Sequence, residues 1–149
     1  MSEVAVHAST PEEVVSGVIM HLNESQVEDA TASFAPEFRF KDHGIGLVFT
    51  DKRRLSEFFQ KARELYPDYV QQVDRIFVTG ESVIAEWTLQ LTITEPFYAG
   101  LTRRVPFSLA GVSIVRIRDC KIADWADYYD SSSSRRTALS SHFTEWIEY

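Results

Sequence analysis

The sequence predicts a single α+β domain in which a curved antiparallel sheet wraps around N-terminal helices. Two patterns support this fold class. Apolar residues recur at helical spacing through most of the first half of the chain, and they alternate with polar residues in long runs through the second half. Helices followed by a strand meander are typical of the α+β class. A chain of 149 residues with no internal repeat and no linker suits one domain, residues 1–149.

Three helices are predicted before the long strands. The first has Thr10 as its N-cap, with Glu13 three residues later as in a capping box. A short second helix covers residues 26–33. The third begins after Asp51 and ends before Pro67. The apolar face of the first helix is Val14, Val15, Val18, Ile19 and Leu22. The apolar face of the third is Leu55, Phe58, Phe59, Ala62 and Leu65.

The strands are predicted from alternation. Phe38, Phe40 and Asp42 alternate with basic residues in a short strand, and residues 43–46 form a turn after it. Three long strands follow, and a tight connection at 118–121 leads into a final strand. The long strands cover residues 69–78, 82–94 and 105–118, with a loop at 96–100. The final strand and its end carry acids and rings at close spacing: Asp124, Trp125, Asp127, Tyr128, Tyr129 and Asp130. Residues 137–149 are expected to form a short terminal helix.

Composition and charge exclude several function classes. The net charge is −7 and the pI is near 5.1, which argues against nucleic acid as a partner because phosphate binding needs a concentrated basic surface. Cys120 is the only cysteine, so no intrachain disulfide can form. No apolar run is long enough to span a bilayer, and residues 1–7 lack the features of a signal peptide. We therefore expect a soluble, cytoplasmic protein with no membrane partner.

Metal, phosphate and nucleophile motifs are not found in the sequence. The four histidines, His7, His21, His43 and His142, show no metal-ligand spacing, and one cysteine does not make a zinc site. No glycine-rich phosphate loop occurs, and no serine lies in a strand–turn–helix elbow. We expect no metal site and no cofactor.

Two segments carry a resemblance to a known group of small cavity proteins. Residues 34–42, FAPEFRFKD, are similar to the region after the second helix in ketosteroid isomerases. Residues 115–130, VRIRDCKIADWADYYD, are similar to the ending of limonene epoxide hydrolases and SnoaL-like polyketide cyclases. The resemblance covers roughly residues 10–132 and leaves a tail at 133–149. It implies the cone-shaped, cystatin-like fold of the nuclear transport factor 2-like superfamily, with a deep apolar cavity between helices and sheet, and a homodimer.

The resemblance also implies two site residues. Asp127 matches a catalytic acid or base of the epoxide hydrolases and cyclases, and Asp42 matches the general base of the isomerases. Strand alternation then places Ala123, Trp125 and Tyr129 on the inner face with Asp127. The same alternation places Asp124 and Tyr128 on the outer face, towards solvent or a partner subunit.

Departures from the family patterns reduce the number of reactions that we expect. Trp87 and Leu89 stand where the epoxide hydrolases have an arginine and an aspartate, so epoxide hydrolysis by that route is not expected. Val18 stands where the isomerases have a tyrosine donor, and Ser113 stands near their second donor. A steroid isomerase with the standard site is therefore not expected either.

Two hypotheses remain open from the sequence. Asp42 and Asp127, within a lining that includes Phe40, Trp87, Leu89, Trp125 and Phe97, would transfer a proton on a hydrophobic cyclic or polyketide-like substrate, as an isomerase, cyclase or dehydratase. Ser113, His43 or Tyr129 would supply the oxyanion donor. The alternative is a non-catalytic binding module for an apolar ligand. In that case Asp127 would accept hydrogen bonds from the wall, Asp42 would cap the turn before Gly44, and Asp130 would cap the turn at 131–134.

Overall fold

The computed structural model describes residues 9–130. Three helices lie in the N-terminal half: α1 (Pro11–Asn23), α2 (Val27–Ala32) and α3 (Lys52–Leu65). Six strands complete the domain: β1 (Phe34–Asp42), β2 (Leu47–Phe49), β3 (Val70–Thr79), β4 (Ser82–Pro96), β5 (Thr102–Arg118) and β6 (Lys121–Tyr129). The predicted helix at 137–149, the turn at 131–134 and the N-terminal segment 1–7 lie outside the described residues.

The helix starts follow from side-chain capping. Thr10 Oγ1 accepts a hydrogen bond from the Glu13 backbone N–H at 3.2 Å, and Asp51 Oδ1 accepts one from the Arg54 N–H at 2.9 Å. Both predicted caps are confirmed. Leu65 is 37% exposed, so its assignment to the buried face of α3 is wrong. No helix within residues 9–130 is long and apolar enough to cross a membrane.

The strands form one six-stranded sheet in the order β2-β1-β6-β5-β4-β3. The sheet is curved and packs with the N-terminal helices, so the predicted α+β class is confirmed. One pairing departs from the antiparallel expectation, since β1 lies parallel to β6 while the other neighbours are antiparallel. Alternation in a single strand carries no information about the direction of its neighbour, which is why the sequence did not reveal the parallel pair.

A long hairpin of β4 and β5 extends beyond its predicted ends. Its tip contains Ala99 at φ 50° and Gly100 at φ 77°, which fits a tight loop. Phe97 at this tip is 63% exposed, and the Arg103 guanidinium lies 5.0 Å from the centre of its ring. The expectation that Phe97 lines a cavity is therefore wrong.

The core lies between α1, α3 and the inner face of the sheet, and phenylalanines dominate it. Phe34 is fully buried, and its ring centre lies 5.2 Å from that of Phe38 in an edge-on contact. Phe40 makes a similar contact with Phe59 at 5.6 Å and stacks with Trp125 at 6.4 Å. Edge-on and offset contacts are the favoured arrangements of aromatic pairs. These rings fix the relative positions of β1, β6 and α3, which together bound the cavity described next.

Candidate active site

A cavity of about 120 Å³ opens between the helices and the inner face of the sheet. Its walls are mainly apolar and aromatic, and two carboxyl groups, Asp42 and Asp127, lie among them. The remaining lining residues are Val18, Leu22, Phe40, Ile45, Phe58, Phe59, Ala62, Arg63, Tyr66, Tyr69, Gln71, Trp87, Leu89, Leu91, Leu109, Trp125 and Tyr129. An apolar pocket with a few convergent polar groups is the usual form of a small-molecule site.

Register in the parallel β1–β6 pair brings the two acids together. Asp42 is the partner of Asp127, just as Phe40 is the partner of Trp125 two residues earlier. Directly paired residues of neighbouring strands project to the same face of a sheet, so both carboxyl groups reach the cavity side. The backbone N–H of His43 continues the pairing by donating to the Asp127 carbonyl at 2.9 Å.

Asp127 is held through one of its two oxygens. Its Oδ1 accepts hydrogen bonds from the Ser113 hydroxyl at 2.5 Å and from the Trp125 indole N–H at 2.7 Å. Ser113 is itself bound, since the Trp87 indole N–H donates to its Oγ at 2.8 Å. Because that N–H can only donate, the serine hydroxyl proton is directed to Asp127. Among the residues that the structure describes, no donor binds Oδ2 of Asp127.

Asp42 is held by the turn that follows it. Its Oδ1 accepts hydrogen bonds from the backbone N–H groups of Gly44 at 2.9 Å and Ile45 at 3.1 Å, and the Tyr129 hydroxyl also donates to the carboxylate. This turn needs glycine, because a Cβ at position 44 would lie 1.9 Å from the Tyr129 ring. Asp42 therefore caps the turn, as one of the sequence hypotheses proposed, and it also lies at the cavity.

Both acids bind protons more tightly than ordinary aspartates. Burial raises the pKa of Asp42 to about 6, against the opposing effects of Tyr129 and the two backbone donors. Burial also raises the pKa of Asp127 to about 7, and repulsion from Asp42 raises it further while Ser113 and Trp125 oppose the shift. Near neutral pH the pair therefore shares one proton, which provides an acid and a base in one apolar space.

The cavity lining also contains residues that the sequence patterns did not predict as site residues. Tyr66 and Tyr69 line the cavity, and the Tyr69 hydroxyl donates to Gln71 Oε1 at 3.0 Å. Burial raises the pKa of Tyr66 to about 12, which keeps this phenol protonated. The sequence contained a pattern that indicates Tyr66. This residue lies four positions after Ala62 and continues the apolar face of α3, whereas Leu65 does not belong to that face.

Arg63 also lines the cavity, and its described hydrogen bonds go to two other loops of the chain. Its Nη1 donates to the Tyr69 carbonyl at 2.5 Å and its Nη2 to the Pro67 carbonyl at 3.2 Å. Its Nε donates to Ser25 Oγ at 3.0 Å. The guanidinium thus joins the loop after α3 to the connection between α1 and α2.

Seven predicted site residues line the cavity, namely Phe40, Asp42, Trp87, Leu89, Trp125, Asp127 and Tyr129. Three expected positions are corrected. Ser113 is fully buried behind Asp127 and does not line the cavity. His43 is exposed on the other side, stacked on Tyr128 at 4.1 Å between ring centres. Ala123 lies at an irregularity in the β5–β6 pairing, which interrupts alternation and buries Ile122 instead.

The site offers hydrogen-bonding and proton-transfer chemistry. Within residues 9–130, no three His, Cys, Asp or Glu side chains are grouped as ligands for a metal ion. The chemical roles expected of Asp42 and Asp127 stay predictions.

Comparison with known proteins gives a family match and several structural neighbours. The family model described as "SnoaL-like domain" matches residues 15–125. No curated protein matches the chain in sequence.

Solved structures share the fold at low sequence identity. A protein from Catenulispora acidiphila with a ketosteroid isomerase-like fold, crystallised with trimethylamine, is 20% identical with a TM-score of 0.72, over 93% of this chain and 100% of that one. The candidate polyketide cyclase IdmH from Streptomyces antibioticus is 19% identical with a TM-score of 0.72, over 87% and 99% of the two chains. A candidate SnoaL-like polyketide cyclase from Shewanella putrefaciens is 12% identical with a TM-score of 0.71, over 93% and 99%.

Proposed function

The chain belongs to the SnoaL-like domain family, and from this premise we propose that it is a cofactor-independent enzyme that transfers a proton on a hydrophobic carbonyl compound. The reaction would be of the isomerase, cyclase or dehydratase type. The observation that carries the proposal is the paired carboxyls, both with raised pKa, in an apolar cavity. The single cysteine supports a cytoplasmic location for this activity.

The two acids take different roles in the proposed reaction. Asp42 has the lower pKa of the pair and three donors that favour its ionised form, so it is the base that removes a proton next to the carbonyl. Asp127 has the higher pKa and holds the remaining proton on Oδ2, because Oδ1 already accepts two hydrogen bonds. It donates that proton to the carbonyl oxygen as negative charge develops there. Return of the proton from Asp42 to another carbon, with return of the oxygen-bound proton to Asp127, would restore the carbonyl group and complete an isomerisation.

The test is hydrogen–deuterium exchange on enolisable ketones, followed by ¹H NMR in D₂O. We expect the wild-type protein to exchange protons next to the carbonyl, and Asp42→Asn to reduce the rate by about 10²–10⁴-fold, the usual contribution of a general base. Asp127→Asn should reduce the rate while keeping an acceptor for Ser113 and Trp125. Asp124→Asn, on the opposite face of β6, is the matched control and should retain the wild-type rate. Full exchange by Asp42→Asn would contradict the assignment.

A binding module is the second candidate, and one observation favours it. Val18 lines the cavity at the position where isomerases of this type have a tyrosine donor, so that donor is missing. A ketone that binds in the cavity, as shown by shifts in the indole resonances of Trp87 and Trp125, without any exchange above the buffer rate would identify this function. The ligand-bound Catenulispora protein supports small-molecule binding by this scaffold, whichever function holds.

We further propose a homodimer formed through the outer face of the sheet. Phe77, Ile84, Ile114 and Ala126 are successive cross-strand partners from β3 to β6 and form one apolar row on that face. Phe77 is 51% exposed and Ile114 is 44% exposed, which is unfavourable unless a second copy covers them. Sedimentation velocity should show a dimer at micromolar concentration, and Ile114→Glu should convert it to a monomer. A wild-type monomer at high concentration would overturn the proposal.

A further inference from the structure

We propose that the substrate is a compact, uncharged carbonyl compound with a single ring, and that Trp87 sets this size limit. The inference rests on the proposed proton-transfer function, and it adds the class of substrate that the cavity accepts. Three features of the cavity carry it: its volume, the fixed position of the Trp87 wall and the distribution of charge around the two acids.

The volume limits the ligand to about one ring. The cavity measures about 120 Å³, and its walls are largely buried aromatic and aliphatic side chains. An apolar cavity of roughly 150 Å³ accepts a molecule the size of benzene. A six-membered ring with an exocyclic oxygen therefore approaches the limit here. A fused two-ring or four-ring compound would exceed this volume, so it would have to displace a wall or extend out of the opening.

The Trp87 wall has little freedom to move away from the cavity. Its ring lies against the partner strand at Gly111, where an added Cβ would come within 2.3 Å of the indole. Its N–H is bound to Ser113 Oγ at 2.8 Å, two residues further along the same strand. The side chain is only 4% exposed. Because the β5 backbone lies directly behind the indole, the ring cannot retreat to admit a larger ligand.

Charge around the acids favours a neutral substrate. An anionic substrate would be repelled by Asp42 and Asp127. Among the described lining residues the cation is Arg63, and it already donates to Ser25 and to the carbonyls of Pro67 and Tyr69. A cationic amine would favour ionisation of both carboxyl groups and so remove the proton that Asp127 must donate. A neutral carbonyl oxygen accepts from Asp127 without either conflict.

The test compares three probes by ligand-observed NMR on the full chain. We expect cyclohex-2-en-1-one to bind, whereas benzoate and the two-ring ketone 1-tetralone should bind at least tenfold more weakly. Trp87→Leu and Leu109→Ala enlarge the cavity from two sides, and each should admit 1-tetralone. Circular dichroism establishes that each variant is folded, and the second variant keeps the test valid if the first does not fold.

A substitution in the opposite direction tests the wall itself. Gly111→Ala should push the indole into the cavity and weaken cyclohexenone binding at least tenfold, whereas Gly17→Ala, which has no neighbour within 4 Å of the new Cβ, should bind as the wild type does. Wild-type binding of 1-tetralone or benzoate as tight as that of cyclohexenone would overturn the inference. Binding of cyclohexenone without deuterium exchange would instead overturn the proposed function and leave the size limit standing, so the two failures are distinguishable.

Discussion

The two oxygens of the Asp127 carboxyl have different surroundings. Oδ1 accepts from Ser113 and Trp125, and Trp87 orients the serine hydroxyl from behind. The placement of Asp127 could be predicted from alternation along one strand and from its motif. The role of Ser113 could not, because it depends on the register of β5 against β4 and β6, which places Ser113 beside Ala85 and Asp127. Ser113 is thus a positioning residue for Asp127 rather than a contact for substrate.

Removal of the Ser113 hydroxyl should raise the pKa of Asp127 further. A hydrogen bond to a charged group contributes about 1.5–3 kcal/mol, and a tenfold change in proton affinity corresponds to about 1.4 kcal/mol, so Ser113→Ala should weaken the acidity of Asp127 by about tenfold or more. Titration of ¹³C-labelled aspartate side chains by NMR measures the change in pKa. Ser113→Thr, which keeps the hydroxyl, is the control. An unchanged pKa in Ser113→Ala would mean that the serine does not stabilise the ionised form.

At the level of elements, the parallel pairing of β1 with β6 creates the site. The sequence predicted both strands and the acid in each, and the family resemblance indicated that both acids face one cavity. The pairing direction and the Asp42–Asp127 register arise from packing of strands that lie far apart in the chain. Two local features could not be predicted either. Strand β2 has only three residues, which are too few to show an alternating pattern. The irregular pairing near Ala123 also could not be predicted, because regular alternation does not indicate where a bulge occurs.

The β5–β6 turn is a second test at this level. Asp119 and Cys120 adopt φ values of 51° and 60°, the left-handed region that favours glycine, in a two-residue hairpin turn. Cys120→Gly should therefore raise the free energy of unfolding by about 0.5–1 kcal/mol, since a side chain at positive φ is strained. Urea denaturation measures the change, with Cys120→Ala as the control that keeps a Cβ. Equal stability of the two variants would show that the turn carries no such strain.

For the whole molecule, the cavity acids make stability depend on pH. Each has a native pKa above the ordinary 3.8, at about 6 for Asp42 and about 7 for Asp127. Between pH 4 and 7 the folded state therefore binds more protons than the unfolded state, and the free energy of unfolding falls as pH rises through this window.

The fold class could be predicted from sequence patterns. The cavity volume could not, since it depends on how Trp87 packs over Gly111.

This linkage leads to a measurable expectation for stability. The free energy of unfolding should be higher at pH 5 than at pH 8, because both acids release a proton within this range in the folded state only. For each proton that the folded state binds and the unfolded state does not, the free energy of unfolding changes by about 1.4 kcal/mol per pH unit. Asp127→Asn should flatten the dependence and be more stable than the wild type at pH 8, whereas Asp124→Asn should follow the wild-type curve. Urea titrations at several pH values provide the measurement. The linkage would be refuted if the free energy of unfolding of the wild type rose from pH 5 to pH 8 while that of Asp127→Asn did not. The pH dependence would then have the opposite sign to the one expected.

The central claim is that Asp42 and Asp127 share one proton near neutral pH. Its most direct test is the ¹³C NMR titration of labelled aspartate carboxyls in the wild-type protein, assigned with Asp42→Asn and Asp127→Asn. We expect two carboxyls to titrate at about 6 and about 7, with the lower value assigned to Asp42. If both were fully ionised by pH 5, no acid would remain in the cavity at neutral pH and the proposed proton transfer would be contradicted.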